Sequence, residues 1–312
     1  MSTYSTLELS DGTVIPRIGF GIGNDVPLLA YFNSRPLSAV GTAHYRADCT
    51  AFVVKALETG YRYLDAADMY ANSESIGSAL KEWKGDRKDL FLLTKCGREE
   101  VEYTDPRKKL VQLLKEMNVE YVDLYLLHSP LLFGKSPSAI NDAWKIMEEL
   151  KAEGLTKSIG VSNFRDEDLQ AIKATWTTPP VVNQIELHPY NIHEANMQRL
   201  LETCRANKIT IEAYGPLTPL IRSPGGPIDP IVKAIAAEKG ITEGQVLLSW
   251  AAQVVDGVVV TTSANPGRMK EQLQAIEQGP LLSPEQVNEI TEKGRGRSHR
   301  HFMLPVWAAA KP

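Results

Sequence analysis

The fold is decided by residues 91–128, which read FLLTKCGREEVEYTDPRKKLVQLLKEMNVEYVDLYLLH. The segment begins and ends with nearly continuous apolar runs, Phe91 to Lys95 and Tyr121 to His128, which are typical of parallel strands covered on both faces. Between them, Asp105-Pro106 predicts the start of a helix, because aspartate caps the first turn and proline suits the first helical position. The segment therefore predicts one strand–helix–strand unit of an α/β fold.

The same alternation continues on both sides of this unit. The other strand-like runs lie near Arg17 to Gly21, Tyr63 to Asp65, Ser158 to Val161, Val181 to Glu186, Thr210 to Tyr214 and Gly257 to Thr262. Ahead of them, Asp11-Gly12 predicts the turn of an N-terminal β-hairpin. Such units fit a doubly wound sheet or a barrel, and eight of them favour a (β/α)8 TIM barrel. Residues 19–23, GFGIG, lack the glycine spacing of a Rossmann nucleotide-binding turn. We expect one barrel domain over residues 1–312.

The composition argues against several classes of protein. Hydrophobic residues make up 43% and charged residues 23%, and the net charge of -4 includes no basic block, so we expect no nucleic-acid partner. No apolar run approaches the roughly 20 residues of a membrane span, and the N-terminus lacks a secretory pattern. The three cysteines Cys49, Cys96 and Cys204 lie far apart without ligand spacing. We therefore expect no metal site and a cytoplasmic location.

Three of the predicted connections are long, at residues 22–46, 129–138 and 215–229. Each follows a strand, so in a barrel all three lie at the C-terminal face, where barrel active sites are found. A single long loop is unremarkable as a mobile surface segment, but three at one mouth favour a lid or a pocket wall.

Four polar residues lie at or just after predicted strand ends, namely Asp65, Tyr70, Lys95 and His128. Each alone also fits a structural role, such as a cap, a half-buried core residue or a solvent-reaching lysine. Together they suit carbonyl reduction, in which a hydride adds to carbon and a proton to oxygen. A tyrosine hydroxyl, with an ordinary pKa of about 10, is a sluggish acid unless a cation favours its ionised form. A lysine held by a carboxylate provides that cation, and a histidine can orient the carbonyl oxygen or share the proton.

Motifs along nearly the whole chain resemble those of the aldo-keto reductases. They are GYRYLDAADMYANSESIG (60–77), LLTKCG (92–97), VDLYLLHSP (122–130), SIGVSNF (158–164), VVNQIELHPY (181–190), IEAYGPL (211–217) and VVVTTSANPGRMKEQL (258–273). The last segment is similar to that of fungal members, including conjugated polyketone reductases. The resemblance implies a catalytic tetrad of Asp65, Tyr70, Lys95 and His128, with Tyr70 as the general acid, in an NADPH-dependent reductase of aldehydes or ketones, including diketones or keto lactones.

The resemblance also implies a cofactor site on the same face of the barrel. Ser162, Asn163 and Gln184 match residues that hydrogen-bond the nicotinamide carboxamide, and Tyr214 matches the residue that stacks on the ring. Leu217 lies in a segment that covers the pyrophosphate. Thr262, Ser263 and Arg268 match the segment around the adenosine 2′-phosphate, and a guanidinium binds phosphate in two places.

The chain departs from the family pattern at three positions. Many members have lysine where this chain has Thr262, so NADH stays open as the alternative to NADPH, which Arg268 favours. An asparagine of the family is replaced by Gln272, which weakens its expected adenine contact. Residues 21–23 read Gly-Ile-Gly, without the pocket tryptophan of the family's Gly-Thr-Trp.

Substrate choice is expected to depend on the long loops and the C-terminal tail. Phe32, Leu131, Phe133 and Trp307 are candidate pocket residues, although some of them can equally seal loops onto the barrel. Their apolar character favours a small-molecule carbonyl substrate with an apolar body. Two alternatives remain open: a cofactor-sensing regulatory subunit with slow turnover, and an unrelated barrel enzyme with acid–base or lyase chemistry. The family expectation for assembly is a monomer.

Overall fold

The computed structural model describes residues 5–23, 48–97, 105–132 and 137–308. Ten strands are described, β1 (Thr6–Glu8), β2 (Val14–Pro16), β3 (Ile18–Gly21), β4 (Tyr63–Asp65), β5 (Phe91–Cys96), β6 (Val122–Leu127), β7 (Thr156–Ser162), β8 (Val182–Glu186), β9 (Thr210–Tyr214) and β10 (Val258–Thr261). Strands β3 to β10 pair in parallel and in chain order, and β10 closes on β3 to form an eight-stranded barrel. The predicted (β/α)8 TIM barrel is therefore confirmed.

Helices cover the outside of the barrel and connect its strands. They are α1 (Thr50–Thr59), α2 (Ser73–Trp83), α3 (Pro106–Met117), α4 (Pro137–Ala152), α5 (Asp166–Lys173), α6 (Ala195–Ala206), α7 (Thr218–Ile221), α8 (Asp229–Lys239), α9 (Glu243–Val255), α10 (Pro266–Glu277), α11 (Pro284–Gly294) and α12 (Leu304–Ala308). The start of α3 is as predicted, because the Asp105 carboxylate accepts hydrogen bonds from the amides of Arg107 and Lys108 at 2.9 and 3.2 Å. These bonds satisfy amides that the helix itself leaves unpaired.

The hairpin of β1 and β2 closes the N-terminal end of the barrel. Its strands are antiparallel, with Leu7 opposite Ile15. Ile15 is fully buried, and with Leu9 it packs in one cluster with residues from the N-terminal halves of the barrel strands, such as Tyr63 and Phe91. The interior of the barrel is therefore covered by apolar side chains at the end opposite the C-terminal face.

The predicted long loops are described only in part. Most of the segment 22–46 lies outside the described residues, as do residues 133–136 of the second loop. The third, 215–229, contains the short helix α7, and the tail after α11 contains α12. In the described part of the chain, no helix combines the length and the apolar character needed to cross a bilayer.

Candidate active site

A buried ion pair lies at the C-terminal end of two neighbouring barrel strands. Asp65 ends β4, and Lys95 is the penultimate residue of β5. The Lys95 Nζ donates to the Asp65 Oδ1 at 2.7 Å and to the Ala66 carbonyl at 3.0 Å. The side chains of Lys95 and Asp65 are 0% and 3% exposed, so each charge depends on its partner for the compensation that water no longer provides.

Tyr70 and His128 lie next to this ion pair. Tyr70 ends a short 3-10 turn after β4, and Ala71, with φ 50°, terminates that turn. The Tyr70 ring centroid is 5.4 Å from the Lys95 Nζ. It is 6.1 Å from the centroid of the His128 ring, and the two planes are nearly perpendicular. The structure therefore brings Asp65, Tyr70, Lys95 and His128 together at one mouth of the barrel.

His128 is electrically neutral in this setting. Burial lowers its pKa well below the usual value, and the nearby Lys95 cation lowers it further. Among the described residues no partner hydrogen-bonds its Nδ1. The main chain is fixed, because the Asn163 Nδ2 donates to the His128 carbonyl at 3.0 Å. An uncharged imidazole can take part in hydrogen bonding at the mouth without adding a second cation beside Lys95.

The predicted nicotinamide residues form a connected hydrogen-bond network on β7, β8 and β9. Asn163 has φ 58°, a left-handed conformation that asparagine tolerates, and it turns the chain sharply after β7. Its amide donates to the Ser162 Oγ at 3.0 Å and its Oδ1 accepts from the Tyr214 hydroxyl at 2.7 Å. The Gln184 Nε2 donates to the Asp65 Oδ2. This last bond joins the network to the buried ion pair.

The predicted phosphate residues lie where β10 leads into α10, with Thr262 and Ser263 between the two elements and Arg268 in the first turn of α10. The Arg268 Nε donates to the Ser263 Oγ at 3.3 Å, and the Asn265 Oδ1 caps α10 by accepting from the Arg268 amide at 3.1 Å. Gln272 points into the fold, because its amide nitrogen donates to the Thr261 Oγ1 at 3.1 Å and its oxygen accepts from the Tyr61 hydroxyl at 3.2 Å. An adenine contact from Gln272 would have to compete with these bonds.

The residues present fit a nicotinamide dinucleotide phosphate. The hydroxyl of Thr262 is buried with no hydrogen-bond partner among the described residues, as is the hydroxyl of Thr218 next to Leu217. Such hydroxyls are available to a ligand. Arg268 places a cation in the first turn of α10. The N-terminus of a helix also attracts a bound anion such as a phosphate. The described residues contain no cluster of side chains able to hold a metal ion.

The four candidate pocket residues have different environments. Leu131 is 48% exposed in a short turn after β6, whereas Trp307 of α12 is 6% exposed. The Arg300 guanidinium lies 3.9 Å from the Trp307 ring centroid. Trp307 belongs to the main buried hydrophobic cluster and so packs the tail onto the barrel. Phe32 and Phe133 lie outside the described residues.

Two buried glutamates were not predicted to belong to the site. Glu212 of β9 is fully buried and accepts a hydrogen bond from the Tyr63 hydroxyl. Glu186 ends β8 and accepts from the amides of His301 and Phe302, each at 3.0 Å. The sequence signal for both is a charged residue inside an otherwise buried parallel strand, which requires a specific partner.

Comparisons with known proteins agree on one family. The aldo/keto reductase family model matches residues 38–295. The chain is 34% identical over 290 residues to the NAD/NADP-dependent indole-3-acetaldehyde reductase of Schizosaccharomyces pombe, with 90% of this chain and 96% of the relative covered. It is 33% identical over 303 residues to the methylglyoxal reductase DkgA of Escherichia coli, with 95% and 96% covered.

Solved structures give the same result. The aldo/keto reductase of Brucella melitensis superposes with a TM-score of 0.76 at 31% identity, covering 93% of this chain and 100% of the other. An aldo-keto reductase of Bombyx mori, solved in complex with NADP, superposes with a TM-score of 0.76 at 25% identity, covering 98% and 97%.

Proposed function

The chain belongs to the aldo/keto reductase family, and from this premise we propose that it reduces an aldehyde or ketone with NADPH, using Tyr70 as the proton donor. The observation that carries the proposal is the position of the buried Lys95–Asp65 pair, whose ammonium lies 5.4 Å from the Tyr70 ring centroid. An enzyme of this family consumes a reduced nicotinamide cofactor, and the NADP complex of the Bombyx mori relative supports NADPH.

The chemistry divides between the cofactor and the side chains. NADPH, when bound, supplies the hydride that adds to the carbonyl carbon. The Tyr70 hydroxyl gives its proton to the carbonyl oxygen as negative charge develops there. The Lys95 ammonium stabilises the tyrosinate that remains, and Asp65 holds that ammonium in place. The neutral imidazole of His128 orients the same oxygen through a hydrogen bond.

The remaining predicted residues would hold the cofactor in a fixed orientation. Ser162, Asn163 and Gln184 would bind the carboxamide, and the half-buried ring of Tyr214 would stack on the nicotinamide. Leu217 would cover the pyrophosphate, and Thr262, Ser263 and Arg268 would bind the 2′-phosphate. Lysine is absent at Thr262, so selectivity for NADPH over NADH rests mainly on Arg268.

The substrate proposal follows from the pocket and from the relatives. An apolar carbonyl compound, including a diketone or keto lactone, suits the apolar candidates Phe32, Leu131, Phe133 and Trp307. The relatives named for methylglyoxal and indole-3-acetaldehyde support testing one small dicarbonyl and one aromatic aldehyde. We also propose that the protein acts as a monomer in the cytoplasm; the three free, buried cysteines support the proposed location.

The test is consumption of NADPH and NADH, in parallel, by the purified protein. The acceptors are methylglyoxal, indole-3-acetaldehyde, aromatic aldehydes, α-diketones, keto lactones and open-chain sugars. We expect turnover on the order of 1 per second or more with NADPH and an apolar carbonyl. NADPH binding without turnover on any acceptor would instead support a cofactor-sensing subunit, and a better rate with sugars would contradict the apolar substrate.

A further inference from the structure

A second buried acid lies inside the barrel beside the Asp65–Lys95 pair. Glu212 of β9 and Tyr63 of β4 are both fully buried, and the Tyr63 hydroxyl donates to the Glu212 Oε1. The other oxygen, Oε2, has no hydrogen-bond partner among the described residues. The proposed reduction does not use this pair, although a titratable group is costly to bury without a function or a strong partner.

Gly19 of β3 leaves space for the Tyr63 ring inside the barrel. A Cβ added at Gly19 of β3 would lie 2.7 Å from the Tyr63 Cε1, which is closer than atoms can approach without displacement. Glycine at that position therefore leaves the space that the ring occupies. The hydroxyl of Tyr63 then reaches across the interior from β4 to Glu212 on β9.

The charged and polar groups that face Glu212 come from three strands. Asp65 and Tyr63 lie on β4, Lys95 on β5 and Gln184 on β8. Burial and the Asp65 charge raise the pKa of the Glu212 carboxyl to about 8, although Tyr63, Lys95 and Gln184 act in the opposite direction. Burial also raises the pKa of Tyr63 well above its usual range, with the charges of Glu212 and Asp65 adding to the effect. Burial and the Asp65 charge therefore favour the protonated, neutral form of the Glu212 carboxyl.

We propose that Glu212 is a positioning residue, a neutral acid held by the hydroxyl of Tyr63. In this state Asp65 remains the counter-ion of Lys95, and loss of the Glu212 proton slows the reduction. The inference deepens the proposed function and rests on it. No bond between heavy atoms changes, because the proton simply passes from Glu212 to the solvent.

Two effects link the charge on Glu212 to Tyr70. An ionised Glu212 would add a second anion near Lys95, so the ammonium would stabilise the developing tyrosinate less. The same anion would compete for the Gln184 amide, which donates to Asp65. Both effects weaken proton donation from Tyr70 without any contact between Glu212 and the substrate.

The test is the pH dependence of kcat for NADPH-dependent reduction in the wild type and in Glu212→Gln. We expect the wild type to lose activity with a midpoint near the pKa of about 8, so that about a tenth remains one pH unit higher. Glu212→Gln should lose this step and retain its activity to higher pH. Tyr63→Phe should move the step upward, because the hydroxyl that favours the ionised carboxylate is gone.

A matched control is Asp123→Asn, which neutralises a buried carboxylate that pairs with Arg87 and Lys157 near the start of β6. This variant should keep the wild-type pH profile. A profile that is the same in the wild type and in Glu212→Gln would overturn the proposed coupling. Absence of turnover in the wild type would instead overturn the proposed function, and the coupling with it.

A second measurement does not depend on turnover. Infrared titration of the wild-type protein should show a protonated carboxylic acid that persists through neutral pH and disappears in the alkaline range. In Glu212→Gln, this band should be missing. Loss of all carboxylic acid bands in the ordinary acidic range of glutamate would overturn the proposal, whatever the kinetics show.

Discussion

The ring of Phe302 meets the ring of Tyr214 edge-on, with centroids 5.5 Å apart and planes at 73°. Phe302 belongs to the C-terminal tail, and Tyr214 ends a barrel strand in the proposed nicotinamide site. Glu186 keeps the tail in this position, because its carboxylate accepts from the amides of His301 and Phe302. The tail therefore forms part of the mouth.

Glu186→Gln should loosen the tail and lower the stability of the protein. An amide has a single acceptor oxygen, so one of the two backbone amides would face an NH2 group, at a cost of about 1–3 kcal/mol. Urea unfolding and proteolysis of the tail would measure the loss. Glu153→Gln, an exposed change that removes an ion pair with Arg107, is the control and should change little.

The contribution of the Glu186 carboxylate to stability depends on pH, and the direction of its pKa shift determines how. Burial alone raises the pKa of Glu186, but the hydrogen bond and charge of His188 and the backbone amides outweigh it, and the net pKa is lowered. The contribution is therefore full above the usual pKa of glutamate and is lost as the pH falls through the lower folded value. An advantage of the wild type over Glu186→Gln that grows on acidification would contradict this assignment.

Tyr70→Phe should reduce the rate of carbonyl reduction by at least about a hundredfold, as removal of a general acid does. Binding of NADPH, followed by fluorescence, should persist because the ring is retained. Tyr121→Phe is the matched control, since that tyrosine lies between the Arg87 and Lys157 cations, 4.5 and 4.4 Å from its ring centroid. Near-normal turnover in Tyr70→Phe would mean that another group donates the proton.

Lys95→Met should abolish reduction and destabilise the fold at the same time. The change removes the cation beside Tyr70 and leaves Asp65 buried without its partner, which typically costs about 3–5 kcal/mol. Kinetics and urea unfolding measure the two effects. Lys157→Met is the control, because it removes an ion pair with Asp123 in which the lysine side chain is 51% exposed. We expect the losses of activity and of stability to be small in this variant. Full activity in Lys95→Met would exclude the proposed role.

Arg268→Ala should weaken NADPH binding by about 10- to 150-fold, which corresponds to one charge-assisted hydrogen-bonded pair of about 1.5–3 kcal/mol. NADH lacks the 2′-phosphate, so its affinity should hardly change. Arg295→Ala, which removes an exposed arginine paired with Glu292, serves as the control. Equal losses for both cofactors would place Arg268 away from the 2′-phosphate.

The barrel and the convergence of its polar residues could be predicted from the sequence because both depend on local patterns. Apolar runs mark the strands, and Asp65, Lys95 and His128 each lie where a run ends. Parallel strands in a closed barrel bring such ends to one face, so the convergence of these residues required no knowledge of side-chain conformations.

Contacts across the barrel could not be predicted in this way. Gln184 and Asp65 lie on β8 and β4, which are not neighbours, and they meet only because the barrel closes. Tyr63 and Glu212 meet for the same reason, in the space left by Gly19. A buried charge in a strand indicates that a partner exists, but the identity of the partner depends on the three-dimensional closure.

The N-terminal hairpin has a consequence for the movement of protons. Because Leu9 and Ile15 cover one end of the described barrel, we expect Glu212, if protonated as proposed, to exchange its proton with solvent through the opposite end. That route passes the side chains that would hold the cofactor. Bound cofactor at the mouth should then slow this exchange. The rate of proton exchange at Glu212 would therefore differ between the free protein and the cofactor-bound protein.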